Sequence, residues 1–320
     1  MRYLITGGAG FIGSHLTEHL LERGHEVVAL DNLSTGTLDN LAGYKDNPGF
    51  RFVRGSVTDP AAVESCMDGV EAVFHLAAAV GVFTILDKTL ESLRTNLHGT
   101  ENLLDAALRH DVPILVASTS EIYGKNTANG LTEDSDRIIG SPLKNRWSYA
   151  EAKALDETFA YLYAVEHGLR TVIVRPFNTV GPRQTGRYGM VIPRFVTQAL
   201  AGEPITVFGD GQQTRCFCHV HDVVPALVAL LSDEAAYGKV FNLGSTEQTT
   251  IARLAERVIS ATGSSSTIVK VPYEEAYGDG YEDMHRRIPD CARAFDQIGF
   301  NPIRTLDDII EAVVADRGGS

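Results

Sequence analysis

Tyr3-Leu4-Ile5-Thr6-Gly7-Gly8-Ala9-Gly10-Phe11-Ile12-Gly13-Ser14 is a short apolar strand that runs straight into glycines. The spacing of Gly7, Gly10 and Gly13 fits a phosphate-binding turn. The first permits a tight turn, the second lets backbone approach a pyrophosphate, and the third lets the next helix pack on the strand. A glycine pattern by itself fits many strand-turn-helix units, so the flanking sequence decides. A helical pattern from Ser14 to Arg23, apolar at Leu16, Leu20 and Leu21, closes at Gly24, and a second strand, Glu26 to Leu30, ends in Asp31. The helix N-terminus then points at the phosphates. A carboxylate at the tip of the second strand accepts hydrogen bonds from ribose hydroxyls and repels a 2′-phosphate, so Asp31 favours NAD over NADP. No basic residue follows in Asn32-Leu33-Ser34-Thr35-Gly36 to offset it.

Further along, strands alternate with helical patterns. Strands are expected at Phe50–Val53, Ala72–Ala78, Ile114–Ser118 and Thr171–Arg175, with long helices from about 90 to 110 and from 148 to 167. Such alternation implies an α/β fold with a doubly wound parallel sheet of the Rossmann type. The apolar surplus on the two long helices suits a partner helix. Beyond Phe177 glycine, proline and arginine recur, strands shorten, and Arg175, Arg183, Arg187, Arg194 and Arg215 gather in an otherwise acidic chain. Residues 1–177 and about 216–243 are expected to form the dinucleotide-binding domain, and 178–215 with about 244–320 a smaller interleaved substrate domain. The stretch from Cys216 to Leu231 is expected to return to the main sheet.

The chain has 320 residues, 44% of them hydrophobic, enough for a sizeable core, and carries a net charge of −13. That charge argues against nucleic acid or an anionic membrane as partner. Cys66, Cys216, Cys218 and Cys291 form no CxxC pair and no zinc spacing, so reduced thiols and no metal are expected. The sequence opens on a core strand without the features of a signal peptide, and its longest apolar run, Val223 to Leu231, is too short to span a bilayer. A cytoplasmic location is the expectation.

Tyr149-Ala150-Glu151-Ala152-Lys153 sets a phenol and an ammonium four residues apart, on one helix face. A surface pair would look the same, but Thr119 ends the preceding strand, where strand ends surround a cofactor crevice. A hydroxyl there can donate to the substrate oxygen that Tyr149 deprotonates, and a nearby ammonium and nicotinium ring both favour the phenolate.

These residues resemble the extended short-chain dehydrogenase/reductase family, specifically its NAD-dependent nucleotide-sugar epimerases, decarboxylases and dehydratases. The resemblance covers essentially the whole chain. Its motifs stand as TGGAGFIGSHL near the start, HLAA from His75, TNLHGTENLL from Thr95, STSEIYG from Ser118, YAEAK from Tyr149, RPFNTVGPR from Arg175 and QTRCFCHVHDV from Gln213. It implies a catalytic set of Thr119, Tyr149 and Lys153. NAD contacts are implied at Gly7, Gly10, Phe11, Ile12 and Gly13, at Asp31, Asn32, Ser34, Thr35 and Gly36, and at Val57, Leu76, Ala77, Ala78, Asn96, Tyr149, Lys153 and Pro176. Ser56 stands where relatives usually carry an aspartate against adenine. On the substrate side the resemblance implies Ser120, Glu121, Asn178, Arg187, Val191 and Gln213, Thr206 and Phe208 near uracil, and Arg215 and Arg287 as pyrophosphate clamps, a geometry that suits guanidinium. A homodimer joined through the two long helices is also implied.

Every branch of this family first oxidises the sugar at C4. A 4,6-dehydratase normally carries Asp-Glu after the catalytic Thr, whereas this chain has Ser120-Glu121. The decarboxylases share Thr-Ser-Glu. The stretch from Thr185 to Phe195, which includes Arg187, instead resembles bacterial UDP-glucuronate 4-epimerases. The expectation is therefore a UDP-glucuronate 4-epimerase forming UDP-galacturonate, with UDP-glucuronate decarboxylase and UDP-glucose 4-epimerase as alternatives. Retention of Tyr149, Lys153 and Thr119 argues against a non-enzymatic NAD-binding regulator.

Overall fold

The computed structural model describes residues 1–79, 89–186, 190–277, 282 and 284–318. From the N-terminus run β1 (Arg2–Thr6), α1 (Phe11–Leu21), β2 (Glu26–Asp31), β3 (Phe50–Arg54), β4 (Ala72–His75), α2 (Thr89–Arg109), β5 (Ile114–Ala117), α3 (Ser148–His167) and β6 (Thr171–Pro176). Then follow β7 (Thr179–Val180), α4 (Val191–Leu200), β8 (Ile205–Phe208), β9 (Thr214–Cys216), β10 (Cys218–His219), α5 (Val220–Ser232) and β11 (Lys239–Leu243). Last come β12 (Gln248–Thr250), α6 (Ile251–Thr262), β13 (Ile268–Val271), β14 (Arg286–Arg287) and α7 (Leu306–Gly318).

Seven strands form one parallel sheet in the order β11-β6-β5-β4-β1-β2-β3, so the chain winds both ways from β1. Side chains of a strand alternate between faces, and here both faces are covered. Tyr3, Ile5, Phe74, Leu115, Val172 and Val174 enter one core with α1 and α5. Their neighbours Leu4, Val73, Ile114, Val116 and Ile173 enter the other, with Leu103, Leu104 and Ala107 of α2 and Ala160 of α3. Burying each such aliphatic side chain contributes roughly 1.5–3 kcal/mol, so neither helical layer is dispensable.

A third core joins α4, α6 and α7 with Ile205, Val207 and Phe217. It carries the smaller sheets, β12-β9-β14 and β13-β8. The expected return of the chain from Cys216 is only half met. β10 pairs with β7 in a separate two-stranded sheet, because Cys218 and His219 lie in register with Thr179 and Val180. The helix α5 and the strand β11, beside β6, are what rejoin the main sheet. Helix α1 also begins three residues earlier than the sequence pattern suggests, at Phe11, with Gly10 as its N-cap.

Candidate active site

The carboxyl ends of β1, β2, β4, β5 and β6 open into one cleft of about 890 Å³ that continues between the main sheet and the third core. At one end is the glycine turn. A Cβ on Gly13 would lie 2.1 Å from the Gly7 carbonyl oxygen, so only glycine lets α1 sit this close to β1. Gly7 itself is at φ +71, a left-handed conformation that glycine adopts without cost. No side chain caps the N-terminus of α1, which leaves its first backbone N–H groups for an anionic ligand.

Asp31 is 7% exposed, accepts from the backbone N–H of Ala9 at 3.0 Å and of Leu33 at 2.7 Å, and borders the cleft. Gly10, Phe11, Ile12, Asn32, Ser34 and Thr35 join it on the wall, and Val57, Leu76, Ala77, Ala78 and Pro176 face the same space. Four expected cofactor residues, Gly36, Ser56, Asn96 and Lys153, are not among those that line the cleft. Gly36 packs against the Ala9 backbone, which a Cβ would meet at 2.7 Å. Asn96 is buried and accepts from Ala79 N at 2.7 Å, so it shapes the segment beyond β4. Ser56 turns to Thr58, bonding its hydroxyl at 2.8 Å.

Tyr149 lies one turn before Lys153 on α3 and borders the cleft. Thr119, at the end of β5, caps the turn that follows by accepting from Glu121 N at 3.1 Å, so its hydroxyl proton remains available to a substrate oxygen. Lys153 is 1% exposed and donates to Asp156 Oδ2 at 2.7 Å. Beneath them His75 bonds Thr6 at 2.8 Å and Thr100 at 3.0 Å. Burial, aided by the Lys153 charge, pushes His75 down to about 3, so it stays neutral. Burial, with Glu121 and Asp156 adding negative charge, pushes the Tyr149 phenol well above its usual range. Burial and these two carboxylates thus favour the neutral phenol in the chain by itself.

The opposite wall is built around Glu121. Its carboxylate meets Arg146 at 2.7 Å and Arg287 at 3.7 Å. Burial alone would push its pKa up, but the Arg146, Arg287 and Arg215 charges outweigh burial and hold the carboxyl below the usual range. Arg287 also donates to Asn178, whose amide donates to the Cys216 carbonyl at 2.7 Å. Ser120, Asn178, Val191, Phe208, Gln213, Arg215 and Arg287 all border the cleft. Thr206 does not. Its hydroxyl is bound by Arg194 and by Gln198 at 3.0 Å. Arg194 in turn lies 4.2 Å over the Phe208 ring and stiffens that wall. Arg187 falls outside the described residues.

The arginine cluster divides on inspection. Arg175 is tied to Glu157 at 2.7 Å and to the Tyr123 hydroxyl at 2.8 Å, inside the core. Arg183 pairs with Glu18 at 2.7 Å. Sequence reasoning missed Arg146, whose only local signal is its place one short turn before Tyr149, and Asp156, one turn beyond Lys153.

A family model described as "NAD dependent epimerase/dehydratase family" matches residues 3–244. The chain belongs to that family. Its cofactor is NAD, which the glycine turn, the uncapped α1 terminus and Asp31 fit. Among relatives of this epimerase/dehydratase chain, the UDP-N-acetyl-alpha-D-glucosaminuronate decarboxylase of Bacillus cytotoxicus is 43% identical over 302 residues, 94% of this chain and 92% of the relative. UDP-glucuronic acid decarboxylase 1 of Danio rerio is 36% identical over 307 residues, 96% of this chain and 70% of that one. A crystal structure of UDP-glucuronic acid 4-epimerase from Bacillus cereus, in complex with UDP-glucuronic acid and NAD, superposes with a TM-score of 0.90 at 28% identity, covering 100% of this chain and 99% of the other.

Proposed function

We propose that this enzyme is an NAD-dependent decarboxylase of UDP-linked uronates, in place of the 4-epimerase that the Thr185–Phe195 stretch suggests. The observation that carries the reading is Glu121, held ionised by Arg146 and Arg287 two residues after the Thr119 hydroxyl, in the Thr-Ser-Glu run of the decarboxylases. The 43% and 36% identities to decarboxylases support it. The higher of these makes the 2-acetamido uronate the first substrate to try, with UDP-glucuronate the second.

In this reading Arg215 and Arg287 hold the diphosphate and Phe208 stacks near the base. Thr119 donates to the 4-oxygen while Tyr149 takes the 4-hydroxyl proton. Bound NAD supplies a hydride acceptor at C4 and later returns the same hydride, so the net reaction is redox-neutral. The 4-keto uronate is a β-keto acid. Its C5–carboxylate bond breaks, carbon dioxide leaves, the electron pair passes to the 4-oxygen as an enolate, and a proton then adds at C5. Thr119 and the Tyr149 hydroxyl stand where that enolate charge develops. Glu121, paired with Arg146 and Arg287, holds the turn that carries Thr119 and so sets the position of that hydroxyl.

The 4-epimerase remains a second reading, favoured by the Bacillus cereus structure covering 100% of the chain. Incubation with each UDP-uronate, with trapping of carbon dioxide and separation of the nucleotide sugars, separates the two. A UDP-pentose or its 2-acetamido analogue supports decarboxylation, and a galacto-configured uronate without carbon dioxide supports epimerisation.

A further inference from the structure

We propose that Asp156 is a positioning residue for the Tyr149–Lys153 pair, fixing the Lys153 ammonium below Tyr149 and setting the pH range over which Tyr149 works as a base. The proposal rests on the reading of Tyr149 as that base. Tyr149, Lys153 and Asp156 occupy one face of α3 at i, i+4 and i+7. Asp156 is 0% exposed and Lys153 1%. Oδ2 of Asp156 receives the Lys153 Nζ at 2.7 Å, while Oδ1 has no hydrogen-bond partner among the described residues. A buried carboxylate that leaves one oxygen unsatisfied carries a desolvation penalty, which its ion pair offsets only in part. An ordinary structural position would hold an uncharged residue at lower cost.

The neighbouring charges support this specific role. His75, from β4, is neutral at any working pH. Glu157, the next residue on α3, is committed to Arg175 at 2.7 Å. Glu121, from the turn after β5, is compensated by Arg146 before α3 and by Arg287 of β14. Asp156 is thus the carboxylate that answers the Lys153 charge directly. It cancels part of the attraction that the ammonium offers a phenolate, and burial together with the Glu121 and Asp156 charges raises Tyr149. The positive charge of an oxidised cofactor would then favour the phenolate, tying proton release at Tyr149 to the presence of the hydride acceptor.

Asp156→Asn tests this, because its amide oxygen still accepts from Lys153 while the negative charge is gone. Activity that needs a phenolate rises with pH through the apparent pKa of Tyr149, and removal of a nearby negative charge lowers that value. In the NAD-loaded variant the acid limb of the kcat profile should move to lower pH by roughly one unit or more, the scale expected for loss of one nearby buried charge. Ultraviolet difference titration of the phenolate against Tyr149→Phe should shift by the same amount, and it needs no knowledge of the substrate. Thermal melting checks the fold, and Asp156→Ser, which also removes the charge, replaces the asparagine variant if that fails to fold. An even loss of activity at all pH values with the acid limb in place, or a limb that moves upward, overturns the proposal. If Tyr149→Phe itself keeps the wild-type acid limb, the base is elsewhere and the underlying reading falls instead.

Discussion

Glu121 and Arg146 meet at 2.7 Å on one wall of the cleft, one from the turn after β5 and the other from the turn before α3. Their side chains are 20% and 7% exposed, so the pair fixes the position of both turns that carry Thr119 and Tyr149. Glu121→Ala should destabilise the protein by about 3–5 kcal/mol, since it strands a buried guanidinium. Glu121→Gln keeps a hydrogen bond and should fold. If Glu121 promotes loss of carbon dioxide, the glutamine variant should release carbon dioxide at least ~10-fold more slowly while C4 oxidation, followed as transient NADH absorbance, changes less. Equal slowing of both signals would remove Glu121 from the decarboxylation step.

Tyr149→Phe removes the hydroxyl proposed as the base for the 4-hydroxyl proton and keeps the ring. General acid/base contributions are typically ~10²- to 10⁴-fold, so turnover should fall by that much with little change in UDP-sugar affinity measured by calorimetry. Near-normal turnover would mean that another group is the base.

The parallel sheet was legible because its determinants are local. The apolar runs of β1, β2 and β4 to β6, the glycine turn and the period of α3 each lie within a few adjacent residues, and α3 spans Ser148–His167 as the pattern implies. Tyr149 and Lys153 were readable for the same reason, since one helix carries both. Pairings between distant segments were not readable. Nothing near Arg146 announces Glu121, and nothing near Arg175 announces that Glu157 and Tyr123 draw it out of the substrate region. The resemblance sets Thr206 near uracil, and only the structure shows that Arg194 reaches it from the neighbouring helix. Short strands such as β10 are fixed by register with β7 rather than by their own two residues.

Asp31 should decide between the two nicotinamide dinucleotides. Its carboxylate accepts from two backbone N–H groups and borders the cleft at the tip of β2, where the glycine-turn pattern implies the adenosine ribose. Wild-type protein should bind NAD far more tightly than NADP in a fluorescence titration. Asp31→Ser, which removes the repulsion, should narrow that gap by at least ~10-fold, mainly through weaker NAD binding and less disfavoured NADP. Equal affinities in the wild type would show that Asp31 does not discriminate.

Exposed apolar side chains collect on α3, where Leu155, Leu162 and Val165 follow one another at i, i+7 and i+10 and are 47%, 39% and 63% exposed. On α2 the apolar residues Leu103, Leu104, Ala106 and Ala107 are spent inside the subunit, leaving Leu90 near its start. A stripe of this kind fits a two-fold helix pairing, the arrangement implied for this family. Sedimentation of the wild type should show a dimer at micromolar concentration, and Leu162→Glu should shift it toward monomer. A monomeric wild type would leave the stripe without that role.

Glu282 ties together a segment far away in sequence. It accepts from Lys144 at 2.6 Å, from the Trp147 indole N–H at 2.9 Å and from Lys125 at 3.3 Å, and Trp147 is fully buried just before Tyr149. The hydrogen bonds from Lys144 and Trp147, with the Lys125 charge, hold the Glu282 carboxyl down at about 2, from an ordinary value near 4.5. A carboxyl whose folded-state value is depressed stabilises the fold above its unfolded value and loses that contribution as pH falls toward the folded one. The contribution should thus be complete above about pH 4.5 and decline between there and pH 2. Glu282→Gln should have a lower urea midpoint than wild type at neutral pH, and the difference should shrink steadily as the acid end of that window is approached. Because the lysines lie on the surface, part of the difference should also vanish in high salt. A gap between the two proteins that stays constant from neutral pH down to pH 3 would mean that the Glu282 charge does not hold this segment.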